Sequence, residues 1–224
     1  MTATNWEDIR FAILAVDVAV IAVIDRAPHV LLIPVQLPEI VHTRGLPGGL
    51  VRPRETAEDA VARLLAEKCD LRGVYCEQLA TFSGIERDPR GRVVSVAYLA
   101  LVPEALARDH KLPAGLAWCP TAELGEIAYD HNEIVEAAIE RLRGKLQYTT
   151  IARHLLPARF TLSELQSIYE SVLGRDLDKR NFRKKLISIK VVRRTGKKQR
   201  SAVGPPSELY RFAGSTVRLI DILS

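Results

Sequence analysis

The apolar positions of this chain change rhythm several times, and each change marks an element. Ala12 to Ile24 and Val30 to Val35 are β-branched apolar runs around an Asp-Arg-Ala-Pro turn, which predicts a hairpin or neighbouring strands. Gly45-Leu-Pro-Gly-Gly49 reads as a loop with positions suited to unusual backbone angles. From Thr56 to Cys69 the period becomes helical. Ala57, Ala60, Val61, Leu64 and Leu65 form one face, with Thr56 placed to cap it. Strand patterns return at Val74 to Phe82 and Val93 to Val102, separated by the polar loop Glu86 to Gly91, and Trp118 begins a connecting segment. Asn132 to Leu146 is again helical, burying Ile134, Ala137, Ala138, Ile139 and Leu142.

The second part has shorter elements. Thr149 to Leu156 predicts a short helix stopped by Pro157. Thr161-Leu-Ser-Glu164 is a capping box, in which hydroxyl and carboxylate satisfy reciprocal free amides. Leu162, Leu165, Ile168, Tyr169 and Val172 then make an apolar stripe that ends where Gly174 can cap the helix. Asp178 caps a second helix, Lys179 to Ser188, with Phe182 and Leu186 inward. Strands follow at Val191 to Arg194 and Leu209 to Phe212, with a basic loop from Gly196 to Pro206 between them. Helix, helix, basic helix and hairpin in this order predict a winged helix-turn-helix.

Charge sharpens the division. Residues 1–146 carry 16 Lys and Arg against 21 Asp and Glu, a net −5, while residues 147–224 carry 16 against 6, a net +10. Two modules are expected, 1–146 and 147–224, the second facing a polyanion; charge alone fits a solvated basic surface equally well. Lys179 to Ser188 has the apolar and polar faces that a major-groove helix needs. Arg180, Asn181 and Arg183 suit base edges, whereas Lys179, Lys184 and Lys185 suit phosphates. Arg193, Arg194, Lys197, Lys198 and Arg200 suit the backbone or the minor groove. The stretch Phe11 to Ile24 is too short for a membrane span, is interrupted by Asp17, and lacks the marks of a signal peptide. Three cysteines without paired spacing read as reduced thiols, so a cytoplasmic protein with no membrane partner is expected. His29, His42, His110 and His154 form no ligand pattern.

The chemistry centres on residues 49–71. Gly49, Glu55, Arg63, Leu65, Glu67 and Leu71 stand in the register of a Nudix box, whereas three of its other positions hold Leu64, Lys68 and Asp70. Mg²⁺ demands clustered oxygen ligands. Positions 64, 67 and 68 share a helical face, and that face here offers one carboxylate beside an ammonium. Glu55 is a second candidate ligand, although pairing with Arg63 explains both Glu55 and Glu67 structurally. No metal and no catalytic residue is therefore expected. A ligand pocket remains a reading for Arg44, Gly48, Gly49, Glu55, Glu67, Arg87, Asp88, Arg90, Asp130 and His131. The glycine loop leads toward a helix start, and arginines can meet phosphate. Each also has a plain alternative: Arg44 exposed, Asp88-Pro89 a turn, Asp130 a helix cap.

Leu155-Leu-Pro157, Phe160 to Gln166, Tyr169-Glu170, Gly174-Arg175 and Asp178 to Arg183 resemble the C-terminal half of NrtR, the Nudix-related transcriptional regulators of NAD metabolism. Leu46 to Gly49, Arg87 to Arg90 and Asp130-His131 resemble the Nudix-like half. The resemblance implies an α/β fold, a Nudix-like α/β/α sandwich followed by a C-terminal winged helix-turn-helix domain. It further implies a bacterial homodimeric repressor that binds a double-stranded, inverted-repeat operator near genes of NAD synthesis or salvage. Its effector would be ADP-ribose or a related NAD-derived nucleotide, with no cofactor required. The rival readings are a Nudix hydrolase with a nucleic-acid-binding tail and an adaptor that binds a protein in the cleft.

Overall fold

The computed structural model describes residues 11–36, 39, 42–200, 205–214 and 216–220. Two long strands, β1 (Ile13–Ile24) and β2 (Ala27–Pro34), form the expected hairpin. The turn is tighter than its sequence suggests. Only Asp25 and Arg26 are unpaired, both at positive φ (48° and 63°), the two-residue geometry whose twist matches the flanking strands. Ala27 and Pro28 already belong to β2.

Two short strands follow, β3 (Arg44–Gly45) on β2 and β4 (Gly48–Leu50) on β1. Helix α1 (Ala57–Cys69) starts at a capping box built from Thr56 and Asp59. Strands β5 (Tyr75–Phe82) and β6 (Val93–Leu101) pair antiparallel, and β6 lies parallel to β1. Helix α2 (Glu104–Asp109), strand β7 (Ala117–Pro120) and a 3₁₀ turn (Thr121–Glu123) lead to α3 (His131–Tyr148). The sheet order is β3-β2-β1-β6-β5.

Strand alternation divides this sheet between two cores. On β1, Val16, Val18, Val20 and Ala22 face α1 and join Ala60, Val61, Leu64 and Leu65; Ala19, Ile21 and Val23 face α3 and join Ile134, Ala138 and Leu142. Because both faces are covered, β1 reads as an unbroken apolar run rather than an alternating one. A helix on each face makes the α/β/α sandwich.

The chain then forms a 3₁₀ turn at Ile151–His154, where the sequence pattern suggests a helix reaching Leu156. Leu155 and Leu156 are buried just past it, so the apolar spacing serves a compact turn rather than an α-helix. Helix α4 (Leu162–Leu173) has the Thr161–Glu164 capping box and the left-handed Gly174 cap. Helix α5 (Lys179–Ser188) is capped by Asp178, whose carboxylate accepts from Asn181 N at 2.7 Å. The turn between them is braced by Glu170, which accepts from Leu177 N (3.1 Å) and Gln166 Nε2 (2.8 Å).

The wing strands are β8 (Val192–Gln199) and β9 (Ser207–Phe212). β8 runs further than its apolar residues indicate, because Gly196 (φ 72°) sits in a bulge between Arg194 and Lys198 rather than in the loop. Residues 201–204 of the expected basic loop lie outside the described residues. The helices and wing continue the α3-side core: Leu146, Ile151, Leu155, Phe160, Leu165 and Phe182 belong to the same cluster as Ile21 and Leu99.

Candidate functional site

A cleft of about 290 Å³ opens where β1, the Gly45–Gly49 segment, the 86–90 loop and the start of α3 meet. At its floor is Asp17, the residue that interrupts the apolar run of β1. A carboxylate inside a sheet needs partners, because unpaired burial of charge is prohibitive. Asp17 accepts from Ser95 Oγ at 2.6 Å and Arg87 Nη2 at 3.1 Å, and His131 Nε2 lies 3.3 Å away. Leu46 N donates to His131 Nδ1 (2.9 Å), so in the neutral ring the proton sits on Nε2, facing Asp17. Burial raises the Asp17 carboxyl, but His131, Ser95 and Arg87 outweigh it and hold it down to about 2.

Arg87 is buried, with 4% of its side chain exposed. It also donates twice to Asp130, at 2.8 and 2.6 Å. Asp130 therefore does not cap α3 with its side chain, the plain reading of its place before a helix. Asp88 and Arg90 form a second fork at 2.9 and 2.7 Å, and the Arg90 guanidinium lies 5.8 Å from the Tyr129 ring centroid. Tyr129 has φ 59°, a sparsely populated angle for an aromatic residue, and lines the cleft beside Arg90 and His131. Two glycines are required sterically. A Cβ at Gly48 would lie 2.0 Å from Asp17 Oδ1, and one at Gly45 would lie 2.9 Å from His131 Nδ1.

Of the candidate ligand residues, Gly48, Gly49, Arg87, Asp88, Arg90 and His131 line this cleft. Asp130 stands behind it, holding Arg87. Arg44, Glu55 and Glu67 are not among the lining residues. Arg44 is exposed on β3, and its carbonyl accepts from Ala128 N. Glu55 accepts two bonds from Arg63, at 2.9 and 2.5 Å, and one from Arg52 N at 2.8 Å. The Arg63 hydrogen bond, with Arg52 beside it, holds its carboxyl at about 2 despite some desolvation. Glu67 meets Arg63 at 3.3 Å.

The start of α1 is also absent from the cleft lining; what the helix contributes is Lys68, near its C-terminal end. Lys68 Nζ donates to Gly48 O at 2.6 Å. Asp17 and Ser95 are site residues that no motif marks, and Lys68 enters the cleft from a box position that holds a carboxylate in the Nudix pattern. For Asp17 a signal existed: one carboxylate within a doubly buried strand demands a partner elsewhere in the chain.

A divalent metal does not fit these residues. Leu64 packs apolar beneath Gly49, Lys68 presents an ammonium, and both remaining box carboxylates are engaged by Arg63. Among the described residues, no group of three His, Cys, Asp or Glu is placed to hold a metal ion.

The second candidate surface is α5 with the wing. Lys179, Arg180, Asn181 and Lys184 are exposed, as are Arg193, Arg194, Lys197, Lys198 and Arg200. Lys185 is half-buried. Arg183 differs from the expected base reader in its present pose: its Nη2 donates to Ser163 Oγ of α4 at 2.7 Å. Among the described residues, no helix is long and apolar enough to cross a membrane.

Residues 14–139 match the family model of the NUDIX domain, and residues 152–212 match that of the NrtR DNA-binding winged helix domain. The chain is 34% identical over 207 residues to an ADPR responsive transcriptional repressor, NtrR, of Acinetobacter baylyi, covering 90% of this chain and 82% of that one. It is 32% identical over 121 residues to an ADP-ribose pyrophosphatase of Methanocaldococcus jannaschii, covering 53% of this chain and 70% of that one. Shewanella oneidensis NrtR complexed with a 27mer DNA is similar at TM-score 0.77 and 32% identity, over 89% of this chain and 93% of that one. The NUDIX domain of the same protein with ADP ribose matches at TM-score 0.52 and 31% identity, over 62% of this chain and 94% of that one. A Nudix domain with a paired-charge cleft, followed by a basic winged helix, thus places the chain in the NrtR family of Nudix-related transcriptional regulators.

Proposed function

We propose that this chain is a repressor whose winged helix, residues 147–224, binds an inverted-repeat operator beside genes of NAD synthesis or salvage. Its Nudix-like half, residues 1–146, takes ADP-ribose as effector. The observation that carries this reading is the union in one apolar core of a cleft lined with cations, glycines and an aromatic ring and a helix whose outward face is basic. The Acinetobacter repressor and the two Shewanella complexes support both ligands by similarity. The chain acts as a homodimer, since half-sites on one DNA face lie about 34–36 Å apart per turn and pair with a two-fold protein. Nucleotide in the cleft alters the spacing of the two α5 helices, and a small rotation spoils simultaneous docking.

Hydrolysis is not retained in this reading. The NUDIX match and the pyrophosphatase relative favour the enzyme. Against it stand Leu64, Lys68 and the engagement of Glu55 and Glu67 by Arg63. Two assays test the proposal. Fluorescence anisotropy on DNA from upstream of NAD-synthesis genes should show a change of at least about tenfold in affinity on adding ADP-ribose, typical of coupled sites. Incubation with ADP-ribose and Mg²⁺ should release no AMP. Unchanged DNA affinity at saturating nucleotide removes the regulatory claim, and turnover abolished by Glu67→Gln restores the enzyme.

A further inference from the structure

Most charges around the cleft are matched. Arg87 answers Asp17 and Asp130, and Arg90 answers Asp88. Lys68 is the exception. Its ammonium lines the cleft and donates to the Gly48 carbonyl, and among the described residues no carboxylate pairs with it. It occupies the last carboxylate position of the box, so a positive charge stands where the pattern holds a metal ligand. An ammonium has three N–H donors; Gly48 O takes one and two remain.

We propose that Lys68 is the cleft's resident cation, contacting the diphosphate of a nucleoside-diphosphate effector and making its binding independent of divalent metal. The inference rests on the cleft taking ADP-ribose. A diphosphate crowds negative charge between two sugars and needs a counter-charge within hydrogen-bonding reach. Arg87 is neutralised by two carboxylates and Arg90 by one, which leaves Lys68 with the largest uncompensated charge. The side chain is exposed, so it reaches a ligand without unfolding α1.

Isothermal titration of the full chain separates the alternatives, with ADP-ribose and AMP as probes and either excess EDTA or Mg²⁺ in the buffer. Wild type should bind ADP-ribose equally in both buffers. Lys68→Met should weaken ADP-ribose by about tenfold or more, the worth of a charged hydrogen bond, while AMP changes by less than about threefold. Lys68→Arg should stay near wild type, and both variants should melt with the parent. Wild-type binding that requires Mg²⁺, or equal affinities in wild type and Lys68→Met, overturns the inference and leaves the effector reading standing. Failure of wild type to bind ADP-ribose in either buffer overturns both.

Discussion

The arginines of the cleft and those of the wing carry the same charge under opposite arrangements. Arg87 is buried and held by two carboxylates, while Arg193, Arg194, Lys197, Lys198 and Arg200 stand in solvent. A prepaired, desolvated cation is fixed in place and loses little freedom when a ligand arrives. An exposed cation is free to move and gains energy chiefly by displacing counterions from a polyanion. The first arrangement holds the wall of a small cleft in shape, and the second suits a long molecule read in register. Disturbing the first should cost folding, whereas disturbing the second should cost only binding.

The strongest test of that contrast is Arg87→Ala. It leaves Asp17 and Asp130 without their shared partner, and chemical denaturation should show a loss of about 3–5 kcal/mol, the cost of breaking a buried pair. Next is Arg180→Ala on the exposed first turn of α5. Stability should hold, and affinity for operator relative to random DNA should fall by about 1–3 kcal/mol. Arg183→Ala should match that loss only if DNA draws its guanidinium off Ser163. A smaller effect, seen in the same competition assay, would make Arg183 a brace between α4 and α5.

Protonation gives a third test. His154 stacks on Tyr75 at 4.1 Å between the sheet and the winged helix, and burial pushes its ring from 6.5 down to about 4. The folded state binds the proton less readily than the unfolded one, so this contribution is fully present above pH 6.5 and is lost as pH falls toward 4. Thermal melts across that window should decline in wild type and flatten in His154→Gln. The smallest effect is expected for Lys198→Ala. Its stability should stay within about 0.5 kcal/mol. Binding to operator and random DNA should weaken alike, with the salt slope falling by about 1.

The elements written as local chemistry were readable from the chain: the Thr56 and Thr161 caps, the Gly174 stop and the Asp178 start. Helix α2, six residues after Pro103, is too short to show a period, and β7 and β3 exist only as additions to β2. The site was legible in part. Arg87, Asp88 and Arg90 stand in one recognisable motif, but Asp17 lies 70 residues from Arg87, and only the fold brings them together. Glu55 and Glu67 keep the box spacing, and the Arg63 pairing that their spacing offered as a structural explanation is the one present; their carboxylates are absent from the cleft lining.

The start of α5 carries one more consequence. Its first turn holds Lys179 and Arg180 and no acidic residue, so Asp178 alone answers the positive end of the helix dipole. The helix is electrostatically frustrated by its own sequence. A polyanion laid across that turn supplies the missing negative charge and acts as a folding partner for α5. Amide exchange along this helix should therefore slow when DNA binds, with the greatest gain at the end that is least comfortable alone.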